Sequence, residues 1–307
     1  MTYEQFKAAI QGRLAKDIPD PKTIHIHEVY KNNGTVLDGL IILENSANAS
    51  PTLYLNYYYS SYEEGETFSA VYTRLLQDYR DNRPDGSIDP EFFRDFGNVR
   101  DHISFKLIHY EKNRALLADT PHLRFLDLAI VFYHLLSLDG ELGRVTMLIR
   151  KAHAENWDTT PRDLYRTAKQ NAMKLLPATL QDLHQVAVHL TASVKTSEDG
   201  CHVFFTPPED PVIPLYLLTN KKNLFGASCM LYNGILKNYA EQMKADFYII
   251  PSSIHEVLLL PVTSKDQYDR AHLDRLVREV NREAVDPEEV LSDHVYFYSA
   301  KEDRILM

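Results

Sequence analysis

The segment FYIIPSSIHEVLLLP, from Phe247 to Pro261, sets two short apolar runs on either side of a polar break. Both runs favour β-structure, and Pro251, Ser252 and Ser253 carry turn chemistry, so the segment reads as an antiparallel hairpin turning between Ser252 and Glu256. A second hairpin is spelled out earlier, where Ile24, Ile26 and Tyr30 alternate ahead of Asn32-Asn33-Gly34 and Val36 to Leu43 return. Thr52 to Tyr59 reads as a third strand beside it. Further strands are expected at Ser104 to Tyr110, Phe125 to Leu135, Val145 to Ile149, Cys201 to Phe205, Leu215 to Leu218 and Ala227 to Tyr232, with HVYFYSAKEDRILM as a last hairpin.

Helical spacing occurs between these strands. Thr2-Tyr3-Glu4-Gln5 has the form of a capping box ahead of Phe6, Ile10 and Leu14, which predicts a helix over residues 2 to 15. Phe68, Val71, Leu75 and Tyr79 share one face of a helix over Glu66 to Arg80, and a further helix is expected from Pro90 to Val99. Thr160-Pro161 starts a helix carrying Leu164, Ala168, Ala172 and Leu175, which Pro177 stops. Helices are also expected at Leu180 to Leu190, at Gly234 to Met243, and from Ser264 to Ala284, the last with a stripe of Leu273, Leu276, Val277 and Val280. Strands and helices are both abundant but do not alternate as βαβ units. The fold class is therefore α+β, with mixed, largely antiparallel sheets flanked by helices. The pattern changes after Trp157, which divides the chain into an N-terminal α+β subdomain, 1–157, and a C-terminal one, 158–307.

Composition excludes several functions. With 43 Asp+Glu against 33 Lys+Arg in 307 residues, the formal net charge of -10 opposes binding to a phosphate backbone, so a nucleic-acid partner is disfavoured and a protein with a basic surface is the expected one. The N-terminal residues read as an amphipathic helix rather than a signal peptide, and no apolar stretch reaches membrane-span length. Cys201 and Cys229 lie far apart and in no CxxC motif, which fits a reduced, cytoplasmic protein.

Four groups of residues are candidates for chemistry. Ser252, Ser253, His255 and Glu256 combine hydroxyl, imidazole and carboxylate in one turn. A serine nucleophile also needs a base in hydrogen-bond reach and oxyanion donors, which adjacency does not supply. His25 and His27, two apart on a strand, share a sheet face and could ligate a metal if a third group approached. His184 and His189 sit about 140° apart around a helix and cannot share a ligand face. Tyr57, Tyr59 and Tyr62 in LYLNYYYSSYEEGE form a candidate protein interface, since tyrosines bury an apolar body and offer a hydroxyl. Asn220-Lys221-Lys222-Asn223 lacks the glycines and the GK[ST] ending of a phosphate loop, GAS at Gly226 to Ser228 lacks half of a nucleophile elbow, and no cofactor is expected.

The runs RFLDLAIVFY, LYRTAKQNAMKLLP, LYLLTNKKNLFGASCMLY and ILKNYAEQMKADFYIIPSSIHEVLLLP resemble an uncharacterised Firmicutes family known only as a domain of unknown function. The chain is more distantly similar to a second uncharacterised Firmicutes family through Ala168 and Asn171 of an A-x-x-N helix and through Pro251-Ser252. It departs from that second pattern at Ser253-Ile254-His255, where that family has Arg-Asp. The resemblance implies a bacterial source and assigns no catalytic residue. Two functions follow from the residues: a non-catalytic binding or accessory protein, or an unrecognised hydrolase or metal-dependent enzyme using Ser252-His255-Glu256 or His25 and His27.

Overall fold

The computed structural model describes residues 1–18, 21–45, 48, 50–83, 91–137, 145–183, 214–262 and 269–307. In chain order the helices are α1 (Tyr3–Asp17), α2 (Leu55–Glu63), α3 (Phe68–Asp81), α4 (Phe96–Val99), α5 (Arg114–Leu117), α6 (Lys151–Asn156), α7 (Pro161–Leu175), α8 (Ile235–Met243) and α9 (Arg270–Glu283). The strands are β1 (Pro21–Tyr30), β2 (Val36–Glu44), β3 (Thr52–Tyr54), β4 (Ile103–His109), β5 (His122–Phe125), β6 (Leu128–Ser137), β7 (Val145–Leu148), β8 (Ala178–Asp182), β9 (Tyr216–Asn220), β10 (Phe247–Ser253), β11 (Glu256–Pro261), β12 (Tyr296–Ser299) and β13 (Arg304–Leu306). They form three sheets, ordered β1-β2-β3, β4-β6-β5 with β7 also on β6, and β13-β12-β10-β11-β9-β8. Every pairing is antiparallel, as expected of α+β.

The first sheet carries its own core. Thr2 closes the capping box of α1, whose Phe6, Ile10 and Leu14 are fully buried against Leu40 and Ile42 of β2 and Val71, Tyr72 and Leu75 of α3. The expected strand from Thr52 to Tyr59 ends at Tyr54, and the tyrosines lie on α2. The reason is visible in the spacing: Leu55, Tyr58, Tyr59 and Tyr62 fall at i, i+3, i+4 and i+7 and all pack on this core, so helical periodicity outweighs the β-preference of tyrosine.

The second core lies between the other two sheets and draws on residues from both sides of Trp157. β6 is buried on both faces from Leu128 to Leu135, which explains its unbroken apolar run. The expected single strand from Phe125 folds back at Leu126, with φ 55°, because Asp127 is held there by Ser292 Oγ (2.6 Å) and Tyr296 OH (2.7 Å). Three other expectations are corrected. Ala227 to Tyr232 is not a strand but part of a 3-10 turn, Gly226–Leu231. Leu180 belongs to β8 rather than a helix, because its segment pairs with β9. The expected helix over Pro90 to Val99 is broken by Asp95, which caps α4. The rest of the 180–190 helix, His184, His189, the 201–205 strand, the start at Ser264 and Pro90 lie outside the described residues.

The hairpin of β10 and β11 is present in the expected register, Ile249 opposite Leu259 and Ile250 opposite Leu258. Leu259 is fully buried in the main core while Leu258 is only half-buried. Leu259→Ala is therefore expected to cost about 2 to 5 kcal/mol, and Leu258→Ala about half as much, in urea melts followed through Trp157.

Candidate functional site: a cation-lined pocket at the Asn32-Asn33-Gly34 turn

Asn32-Asn33-Gly34, which joins β1 to β2, is a 3-10 turn with Asn33 at φ 58° and Gly34 at φ 74°. Those left-handed conformations suit Asn and Gly and free the two amides for distant partners. Asn33 and Asn113 form a reciprocal pair: the Asn33 N–H donates to Asn113 Oδ1 (2.8 Å) and Asn113 Nδ2 to Asn33 Oδ1 (2.9 Å). Asn33 Nδ2 also donates to the carbonyls of Pro287 (2.9 Å) and Val290 (2.7 Å), and Asn32 Nδ2 to that of Glu288 (2.7 Å). One turn thus clamps the 286–290 loop on one side and the Glu111–Leu117 segment on the other.

Between this turn, the end of β1 and that segment lies a cavity of about 520 Å³. Val29, Tyr30, Ala115 and Leu116 supply apolar wall, and Lys31, Lys112 and Arg150 line it with positive charge. Their counter-carboxylates stand outside the lining: Glu288 is 3.8 Å from Lys31, Asp293 3.0 Å from Lys112 and Asp119 3.7 Å from Arg150. Glu28 is the carboxylate among the lining residues. His27 also lines the cavity, and its Nδ1 is buried with no hydrogen-bond partner among the described residues. The His25 and His27 rings stack 5.9 Å apart on the sheet face opposite Ile24 and Ile26. Among the described residues no group of three or more His, Cys, Asp or Glu side chains gathers to hold a metal.

The 286–290 loop is also where two other sequence candidates meet. Tyr57 OH donates to Glu288 Oε1 (2.8 Å), and burial together with that carboxylate keeps its phenol protonated far above the usual range. His255 Nε2 lies 3.6 Å from Glu289 Oε1. Tyr59 OH donates to the Met1 carbonyl, and Tyr59 and Tyr62 pack on Phe6. In the β10–β11 turn, Ser252 Oγ donates to Glu256 Oε1 (3.2 Å), while Ser253 Oγ accepts from the His255 N–H (3.0 Å). The imidazole faces elsewhere. Its Nδ1 accepts from the Phe225 N–H (3.1 Å) and its ring stacks on Phe225 at 5.5 Å, so the imidazole holds the 220–226 loop while the Ser252 hydroxyl pairs with Glu256.

That loop is built around Asn220, fully buried, whose Oδ1 accepts from the Lys222 and Leu224 N–H groups and whose Nδ2 donates to the Leu224 carbonyl. Asn223 (φ 50°) and Phe225 (φ 51°) are both left-handed, a costly conformation for phenylalanine that the surrounding hydrogen bonds enforce. The Phe225 ring contacts Tyr133 edge-on at 5.2 Å and lies 4.2 Å from the Lys106 ammonium.

The fold and this site together define an antiparallel α+β protein with a cation-lined pocket. The chain matches the model of a family of unknown function, DUF5688, over residues 3–300, and it belongs to that family. No curated protein and no solved structure matches it. Among the described residues no helix is long and apolar enough to cross a membrane.

Proposed function

We propose that the chain is a ligand-binding protein that takes a small molecule with an apolar body and an anionic end, a carboxylate or a phosphate, into the pocket beside Asn32-Asn33-Gly34. The observation that carries this reading is the lining of the cavity: Lys31, Lys112 and Arg150 are among its residues, and the carboxylates that pair with them, Glu288, Asp293 and Asp119, are not. An anion bound there would lie near three cations, and His27 Nδ1, which has no hydrogen-bond partner among the described residues, offers a further polar contact. The volume is that of an ordinary small-ligand site. A basic protein partner remains compatible with the net charge of -10, and the three cations in the lining of this pocket support a separate role. The setting we propose is bacterial and cytoplasmic, in keeping with the Firmicutes resemblance and with a thiol at Cys229 that is buried and free.

Hexanoate, n-hexylamine and hexanol share an apolar body and differ in charge, so they test the reading in one thermal-shift series. Hexanoate at about ten times its dissociation constant is expected to stabilise the fold by about 1.4 kcal/mol and raise the melting temperature by a few degrees. Hexylamine should give no shift. An equal shift with all three would mean that only apolar surface is being covered.

A further inference from the structure

We infer that the chain has a second small-molecule site, for a planar aromatic carboxylate, where helix α8 begins. A cavity of about 310 Å³ lies there, and it shares no lining residue with the 520 Å³ one. Distant stretches of chain meet around it, with Phe125 at the end of β5, Tyr165 and Lys169 on α7, Gly234 and Lys237 at the start of α8, and Tyr298 and Arg304 of the β12–β13 hairpin. Three of its rings are anchored on the main core. Tyr165 meets the fully buried Phe105 edge-on at 5.4 Å, Tyr298 stacks on the fully buried Phe247 at 4.8 Å, and Phe125 packs against the same cluster. Rings fixed in this way favour an aromatic ligand, since ring pairs contribute beyond the area they bury.

The charged part of the lining is mostly cationic. Lys169, Lys237 and Arg304 stand against one carboxylate, Asp303, which already accepts from the Tyr298 hydroxyl. Arg304 pairs with Glu302, which is not among the lining residues. Among the described residues the ammonium groups of Lys169 and Lys237 have no hydrogen-bond or ion-pair partner, although the chain carries a formal net charge of -10; Lys169 lies 5.7 Å from the Tyr165 ring.

The start of α8 adds to that charge. Helix N-termini are electropositive and ordinarily carry a capping side chain or an acidic residue, as Thr2 and Glu4 do for α1. α8 has neither: Gly234 precedes it at φ 75° with no side chain to cap, its first turn holds no acidic residue, and Lys237 stands there instead. The Leu236 and Lys237 N–H groups accordingly have no partner among the described residues. A lysine at the positive end of a helix is unfavourable unless an anion is bound there, and the cavity provides the place for one. Cavity, unpaired lysines and anchored rings together specify the ligand: an aromatic body beside Tyr165 and Tyr298, and a carboxylate near Lys169 and Lys237.

The test is calorimetric titration of the full chain with 2-naphthoate. This acid could also enter the 520 Å³ cavity, so the Lys112→Met/Arg150→Met variant is titrated beside wild type, and the outcome at α8 does not depend on the anion pocket proposed above. Saturable one-to-one binding to that variant is expected, weakened about ten-fold or more when Lys237→Glu is added. Lys237→Glu places an acid at the helix N-terminus, so the ligand-free melting temperature should hold or rise while binding is lost. Lys169→Met, which removes a half-buried side chain with no ion pair, should weaken binding in the same direction. Decahydro-2-naphthoate, which keeps the carboxylate and the carbon skeleton but is not aromatic, should bind several-fold more weakly. No saturable binding to the Lys112→Met/Arg150→Met variant, affinity unchanged by both lysine substitutions, or equal affinity for the saturated acid overturns the inference.

Discussion

Gly226→Ala is expected to destabilise the protein by about 3 kcal/mol or more. A Cβ at this position would stand 2.5 Å from the His255 carbonyl oxygen and 2.9 Å from the Asn220 amide nitrogen, and closer still to Thr219 Oγ1. Two of these obstacles are backbone, and both are fixed. Thr219 Oγ1 donates to the His255 carbonyl (2.8 Å), and Asn220 closes the loop on Leu224. The methyl cannot be accommodated by a rotamer change, so either the β10–β11 turn or the end of β9 must move. Gly12→Ala in α1 is the internal comparison: nothing lies within 4 Å of the added carbon, and the exchange should stabilise by about 0.5 to 1 kcal/mol through helix propensity. Urea melts of both variants, followed by far-UV dichroism, measure the contrast. A cost at Gly226 below that of an ordinary surface substitution would show that the close approach of these loops is wrong.

Acid is expected to weaken the fold through His134. Its ring is almost wholly buried on β6, both nitrogens lack a partner among the described residues, and burial reinforced by the neighbouring His102 lowers its pKa to about 4. An unfolded histidine titrates near 6.5. Between those values the unfolded chain binds a proton that the folded chain does not, so stability falls as pH drops from about 6.5 to about 4, by on the order of 3 kcal/mol when complete. His109 and His153, also held low mainly by burial, act in the same direction. His134→Leu isolates the one contribution. At pH 7 it should lie within about 1 kcal/mol of wild type, because the two orphaned nitrogens vanish with the lost contacts to Phe93 and His102. At pH 4.5 it should be more stable than wild type by about 2 kcal/mol relative to that baseline. A variant whose stability tracks that of wild type across this range would place the imidazole in contact with water.

Much of the fold was legible because periodicity and local cues agreed. The capping box at Thr2, the Asn32-Asn33-Gly34 hairpin, the Thr160-Pro161 start of α7 and the β10–β11 pairing all appear where the residues place them. Errors arose where two cues competed. Tyrosine-rich α2 looked like a strand by composition although its spacing is helical. In α9 the expected stripe of Leu273, Leu276, Val277 and Val280 is half right: Leu273 and Val277 are buried, Leu276 and Val280 are exposed, and the buried row continues through Asn281, whose Nδ2 donates to the Ser292 carbonyl (2.9 Å). A polar residue in a buried row is invisible to a hydrophobic pattern.

The candidate site was hidden for another reason. Asn33 reaches Asn113 and Val290 across 80 and 257 residues of sequence, and nothing local to any of the three marks the others as partners. His27 was singled out for its spacing to His25, yet its place in the pocket wall depends on Lys112 and Arg150, which carry no local signal.

Calorimetric titration of hexanoate into wild type and into a Lys112→Met/Arg150→Met double variant tests the anion pocket most directly. The two residues line the cavity from different segments, and their structural ion pairs are exposed enough that the variant should fold. Saturable one-to-one binding to wild type is expected, weakened about ten-fold or more in the variant, since a charge-assisted contact contributes about 1.5 kcal/mol or more. Equal affinity in the two proteins, or no heat of binding in wild type, would contradict the assignment.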